Sequence, residues 1–473
     1  QPRSRGLGDV YKRQLYEYTT EVVYADGEKE TLTGKFGFRE ISTDSKNILL
    51  NGKPLYVRGF IRGAKAHDHA NLSGLPLKEF YAKNLKEAKK FGFNFVRFQA
   101  ADEAGILVHV ELRPPHDIYN NLEEMVTTGR AIVPEEFLEE TVNKYFNHPS
   151  LCVYCVGNEI KKACADDIRK VKEKLDELDG TRLFLDTCAW GKNNRPYADM
   201  DVQHLSYYFP FGKHAGMYDD TENLLAANTD ENEPMKTESD GCEIVRDLYF
   251  NVPLIAHEVC HYTALRDFYA LKEKFIKSGA PMPWWIDEEI KLVEEKGYKE
   301  SFGEMFAASK HFQFICWKTA YEEMRKSALL GGFHFLQFAD TDADENSNGV
   351  VDCFDDETCV KPEEFLKFNG DRVIIADLGS RNRYCSEEIT VPVYLSNLGE
   401  DDVKKADLDI SVEKDGKSYV GCSMKNLDVT RKGVYKLCKT RITLPNESGV
   451  YALKMRLSAK NELYCENEWT IWL

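Results

Sequence analysis

The strongest constraint on this chain is a rhythm between residues 55 and 340. Eight short, apolar, β-rich runs alternate with charged stretches of helical character. The runs are LYVRGF (55–60), FNFVRF (93–98), ILVHVEL (106–112), LCVYCVGNE (151–159), RLFLDTCAW (182–190), VQHLSYY (202–208), PLIAHEV (253–259) and GGFHFLQFAD (331–340). They are nearly continuous in apolar residues, which predicts strands covered on both faces, as in a parallel sheet flanked by helices. Segments such as LKEFYAKNLKEAKKFG and ADDIRKVKEKLDELDG have helical periodicity, and the second stops at Gly180, a residue suited to the left-handed turn after a helix. Eight such units predict an α/β protein, a (β/α)8 TIM barrel over residues 46–369. An open doubly wound sheet is the alternative, but no glycine-rich phosphate loop follows any strand.

The flanks have a different pattern. LYEYTTEVVY and EKETLTGKFGFREI, within residues 15–45, flank the turn ADG and read as strands. Two strands do not make a stable domain alone, so this segment is expected to be the remnant of a β-sandwich. Residues 370–473 are short alternating runs broken by Gly, Asn and Asp, the pattern of an antiparallel C-terminal β-sandwich. SRGLGDVYKRQ (4–14) fits neither pattern and is what one frame of a transposon-based sequencing adapter encodes. Residues 1–14 are therefore expected to be adapter read-through on an incomplete metagenomic gene, with the native N-terminus missing.

Composition narrows the partners. A net charge of −17 argues against nucleic acid and anionic membranes, and favours a neutral or weakly charged ligand. No apolar run reaches the length of about 20 residues that spans a bilayer. Several of the 13 cysteines sit inside apolar runs, where a free thiol behaves as a small hydrophobe. None is read as a zinc pair, and reduced thiols favour a cytoplasmic setting.

In a (β/α)8 barrel, chemistry sits at the C-terminal ends of the strands. Two strands there end on glutamate in apolar surroundings: the fourth, at VGNE, with Glu159, and the seventh, at IAHE, with Glu258. Strands four and seven lie nearly opposite each other across an eight-stranded mouth, so their carboxylates can converge. A pair of carboxylates, one protonated and one ionised, is what glycoside hydrolysis requires. Asn158, beside Glu159, is placed to hydrogen-bond a sugar hydroxyl.

FGFREI, NGKPLYVRGF, KKFGFNFVRF, ADEAGILVHVEL, NHPS before VGNE, and HE after PLIA together resemble glycoside hydrolase family 2, the retaining β-galactosidases, β-glucuronidases and β-mannosidases. HEVCHYTALRDF and LQFAD before GVVDCFDDE look closest to a poorly characterised branch of it. The resemblance implies Glu159 as acid/base, Glu258 as nucleophile, and an immunoglobulin-like domain before the barrel, of which residues 15–45 would be the remnant. It implies a carbohydrate substrate, exo-acting hydrolysis, no cofactor and no metal. Two departures stand out. FVRF runs through Gln99 almost directly into AADEAG, without the loop that usually follows this strand, and Cys260 replaces a more usual small residue. A carbohydrate-binding protein that keeps the fold without the chemistry is the rival reading.

Further candidates have structural alternatives. His257 is placed to orient Glu258 or to fill the barrel wall. Arg58 and Arg97 are placed to lower the nucleophile's pKa, to bind substrate, or to form ion pairs between barrel layers. Tyr207 and Tyr208 end strand six, where one would bond the nucleophile or both would pack. Trp190 would stack on a sugar or join the core, and Trp284 and Trp285 would wall a subsite or join the core. Asp344, Asn346, Asn348, Gly349 and Asp355 follow part of a calcium-loop pattern, against an ordinary polar rim loop.

Overall fold

The computed structural model of the chain describes residues 15–61, 74–97, 105–112, 133–158, 165–188, 197–203, 235–239, 242–246, 252–327, 330–342 and 347–473. All eight apolar runs contribute strands to one sheet. They are β1 (Val57–Ile61), β2 (Phe95–Arg97), β3 (Leu107–Glu111), β4 (Leu151–Cys155), β5 (Leu183–Leu185), β6 (Asp201–Gln203), β7 (Leu254–Val259) and β8 (Leu330–Phe335). The order is β5-β4-β3-β2-β1-β8-β7-β6, and every pairing is parallel. The sheet is thus a nearly closed barrel. At the seam between β5 and β6, Asp199 acts as partner: its N–H donates to the Phe184 carbonyl at 2.9 Å and its carboxylate accepts from the Phe184 N–H at 2.7 Å.

Helices lie between the strands: α1 (Leu77–Lys90), α2 (Glu135–Tyr145), α3 (Ala165–Asp179), α4 (Phe268–Ser278), α5 (Trp284–Glu295) and α6 (Phe302–Lys326). α3 ends before Gly180 as expected, although Gly180 itself is not left-handed. Residues 98–106 alone join β2 to β3, fewer than the roughly 10–12 that a helical crossover needs, yet the two strands pair with Phe95 opposite Leu107.

Strand alternation sorts the side chains. A three-stranded antiparallel sheet, Ile41–Thr43, Ile48–Leu50 and Lys53–Leu55, closes the N-terminal end of the barrel. Its Ile41, Ile48, Leu50 and Leu55 share one buried cluster with the inward residues Val57, Phe95, Val153, Leu185 and Ile255. Arg39 ties this plug to the barrel by donating to the carbonyls of Pro149, Leu151 and Thr181 at 3.1, 2.6 and 2.6 Å. Residues of the opposite parity form an outer aromatic layer, in which Phe60 meets Phe93 at 5.3 Å and Phe338 at 5.4 Å. Before the plug, Tyr16–Val23 and Lys29–Phe36 pair antiparallel as a largely exposed hairpin. No described helix is long and apolar enough to cross a membrane.

The chain divides into two compact units. The first holds residues 1–313 and 329–358, and the second holds residues 314–328 and 359–473. In the second, α7 (Pro362–Asn369) precedes β9 (Arg372–Ala376), β10 (Glu388–Asn397), β11 (Val403–Lys414), β12 (Lys417–Val429), β13 (Gly433–Thr443), β14 (Val450–Ala459) and β15 (Glu462–Trp472). Two antiparallel sheets, β9-β10-β13 and β12-β11-β14-β15, enclose a single apolar core. β14 alternates buried and less buried positions along its length, the expected pattern for a strand with one face in a core. The second half of α6 completes this unit. Its Glu322 accepts from Asn467 Nδ2 at 2.8 Å and from the Trp469 indole N–H at 2.9 Å, and its Arg325 donates to Ser396 Oγ at 2.9 Å.

Gly332 in β8 has φ +151°, and a Cβ there would lie 2.2 Å from the Val57 carbonyl oxygen and 2.5 Å from Val57 Cβ. Gly332→Ala is expected to lower the urea unfolding midpoint by the equivalent of about 1–3 kcal/mol. Gly303→Ala, on α6 with nothing within 4 Å of the added methyl, is expected to leave the midpoint unchanged or raise it.

Candidate active site

β7 breaks its own alternation where it reaches the mouth. Ile255 faces the barrel core, and so should His257, which leaves Glu258 pointing outward in a regular strand. The pairing of β7 with β8 instead shifts between Ala256 and Val259, and Glu258 takes a left-handed backbone with φ +51°. A bulge of this kind re-aims a side chain at the cost of local strain. His257 and Glu258 consequently lie side by side: His257 Nε2 is 3.4 Å from Glu258 Oε1, and the Glu258 side chain is 14% exposed.

The same imidazole nitrogen reaches across to the end of β4, 3.2 Å from Asn158 Oδ1. An amide oxygen only accepts, so Nε2 of His257 carries the proton. At its other nitrogen, Nδ1 of His257 shares a hydrogen bond with Nδ1 of His334 on β8, 3.2 Å away. His334 is buried and stacks on Phe95 at 5.7 Å. It has room only because β1 has Gly59 opposite: a Cβ there would be 2.6 Å from His334 Cδ2. The sequence reading missed His334, and GGFHF offered one signal, a lone polar residue in an apolar run.

Beside His334 lies His109 of β3, and with it Cys155 at the end of β4 and Cys188 just beyond β5, all fully buried. Burial pushes the Cys155 thiol well up, and its contact with Cys188 adds to this. Burial also pushes Cys188 up, but its contacts with Cys155 and His109 outweigh it, so the Cys188 thiol lies well below its ordinary value. Among the described residues these three are the one group of clustered soft donors.

Of the sequence-predicted residues, the structure brings Asn158, His257 and Glu258 together. Glu159, Trp190, Tyr207 and Tyr208 lie outside the described residues, as do Asp344 and Asn346. Arg58 is a correction. Its neighbours Val57 and Gly59 face the barrel interior, so alternation turns Arg58 to the outer face with Phe60, away from the mouth. Arg97 is paired in register with Ile61 on one side and His109 on the other. Trp285 is buried in a satellite core, its indole N–H donating to the Asp342 carbonyl at 2.9 Å and its ring 4.4 Å from the Arg266 guanidinium. Trp284 is 65% exposed. In the loop after β8, Asn348 donates to the Leu336 carbonyl at 2.6 Å and Asp355 accepts from Asn84 at 2.8 Å, so both help to hold the loop to the barrel.

Comparisons with known proteins follow the same architecture. The family model described as glycosyl hydrolases family 2, TIM barrel domain, matches residues 41–239, which contain β1 to β6. A second model, described as a domain of unknown function (DUF8488), matches residues 387–473. The chain is 27% identical over 316 residues to a β-galactosidase of Kluyveromyces lactis, a match covering 57% of this chain and 27% of that protein. It is 26% identical over 171 residues to a β-glucuronidase of Streptococcus agalactiae, covering 32% and 28%. The matches thus span little more than a quarter of these relatives. The solved structure of a β-D-mannosidase from Dictyoglomus thermophilum superposes with a TM-score of 0.59 at 16% identity, over 97% of this chain and 56% of that one, a likeness of fold. The nearly closed parallel barrel and the match of its first six strands to the family model identify residues 41–239 as similar to the TIM barrel domain of glycoside hydrolase family 2.

Proposed function

We propose that this chain is an exo-acting β-glycosidase that works with retention of configuration. The observation that carries the reading is the break in β7, which spends backbone strain to turn Glu258 into the mouth beside His257 and Asn158. In this reading the Glu258 carboxylate attacks the anomeric carbon and forms a covalent glycosyl-enzyme. Glu159, next to Asn158, gives its proton to the departing oxygen. It then takes a proton from the water that releases the sugar. The His257 N–H steadies the ionised Glu258 and holds the Asn158 amide oxygen. The amide NH2 is thereby turned away from His257, to donate to a hydroxyl next to the reacting carbon.

The first test is hydrolysis of a panel of aryl β-glycosides by the full chain. Glu258→Gln is expected to abolish turnover. Glu159→Ala is expected to lose about 10²–10⁴-fold on poorly activated leaving groups. It should regain rate in azide and release a β-glycosyl azide. Wild-type turnover in Glu258→Gln, or a first-formed sugar of inverted configuration by proton NMR, would overturn the mechanism.

A second test addresses the histidine pair. His334→Phe removes the hydrogen-bond partner of His257 Nδ1 and is expected to lower kcat/KM about fivefold, the equivalent of one hydrogen bond of about 1 kcal/mol. In ¹⁵N-histidine spectra, wild-type His257 should be the Nε2–H tautomer, and the variant should lose that preference. An Nδ1–H tautomer in the wild type would contradict the assignment.

A further inference from the structure

His109, Cys155 and Cys188 have no part in the proposed hydrolysis, yet three consecutive barrel strands deliver them to one point. Each is fully buried. Cys188 Sγ lies 3.9 Å from Cys155 Sγ and 3.7 Å from His109 Nε2, and one donor atom from each residue falls within a group no wider than 4.8 Å. A tetrahedral zinc ion, with Zn–S of about 2.3 Å and Zn–N of about 2.0–2.1 Å, has S···S edges of about 3.8 Å and S···N edges of about 3.5–3.6 Å. Two of the three edges are therefore within about 0.2 Å of a zinc site, and the third, between Cys155 and His109, is no longer than 4.8 Å. Nδ1 of His109 has no hydrogen-bond partner among the described residues, so that ring is not spent on any other polar contact than sulfur.

We propose that His109, Cys155 and Cys188 form a binding site for a thiophilic divalent cation, with zinc(II) as the matching ion. Charge selects the valence. Two thiolates and a neutral imidazole cancel a dication, leaving a neutral buried site, whereas a monovalent ion would leave a net negative charge in a dry interior, where an uncompensated charge is costly. Ligand type excludes magnesium and calcium, which take oxygen donors. On binding, two S–H bonds give way to two S–metal bonds and two protons leave to the buffer. Three protein donors leave one coordination position for water or another small ligand.

The site is mechanically joined to the mouth. The Cys188 N–H donates to the Gly157 carbonyl at 3.0 Å, and Cys188 pairs with Asn158 as a β-bridge. An ion held here would pin the end of β4 against β3 and β5. The proposal stands independently of the glycosidase reading, because it concerns binding alone.

The test uses the full chain, reduced and stripped with a chelator, titrated with cobalt(II) and then with zinc(II). One equivalent of cobalt(II) should give the visible d–d bands of a tetrahedral thiolate site, and zinc(II) should bleach them. Cys188→Ser and Cys155→Ser should each weaken binding at least tenfold, while Cys359→Ser, at an exposed cysteine, should leave it unchanged. Thermal melts of the variants show whether they fold. If they do not, the wild-type titration decides alone. Absence of tetrahedral bands in excess cobalt(II), unchanged bands in folded Cys188→Ser, or a Cys155–Cys188 disulfide in the native protein by mass spectrometry would overturn the proposal.

Discussion

Two successive residues of a strand cannot both face the inside of a barrel unless the backbone gives up its alternation. The mouth of this barrel depends on that concession at β7. The shift in register, and the left-handed turn at Glu258, put an imidazole and a carboxylate side by side where a regular strand would have separated them. Strain of this type costs about 1–3 kcal/mol and persists only where the surroundings enforce it. Here β7 is held on one side by β6 and on the other by β8, and His257 is fixed by Asn158 and His334.

The interior changes character along the barrel axis. Near the plug it holds aliphatic residues such as Val57, Val153 and Ile255, the usual filling of such barrels. One level higher it holds three histidines and two cysteines, packed with Phe95. Each polar group there that bonds another sets the proton position of its partner. A hydrogen-bonded chain from β8 through β7 to β4 thus replaces the dispersive packing below it.

The sequence showed the eight strands because parallel barrel strands are apolar on both faces, and that makes long, unmistakable runs. The same property hid the orientation of each strand. LYVRGF is apolar on either side of Arg58, so no alternation marks which face is inside, and the arginine fell one residue from the face it was expected to occupy. VGNE and IAHE stood out because carboxylates ended apolar runs, but nothing local announced that β7 bulges and brings His257 and Glu258 side by side. His334 and the three soft donors could not be read as groups, because their members are joined only by the lateral pairing of strands far apart in sequence. Trp284 and Trp285, adjacent in the chain, have opposite environments because successive helical positions point about 100° apart.

The second unit has one more consequence, for modularity. All seven strands of the sandwich lie after residue 370, so a gene fragment beginning there would appear to encode a portable domain. It would omit Glu322, the acceptor for the buried Trp469 indole and the Asn467 amide. Each donor left without an acceptor in that core costs about 1–3 kcal/mol, a large share of what holds a small sandwich together. Recombination that respects strand boundaries would therefore still cut through this folding unit, and grafting it onto another barrel requires carrying residues 314–328 along with it.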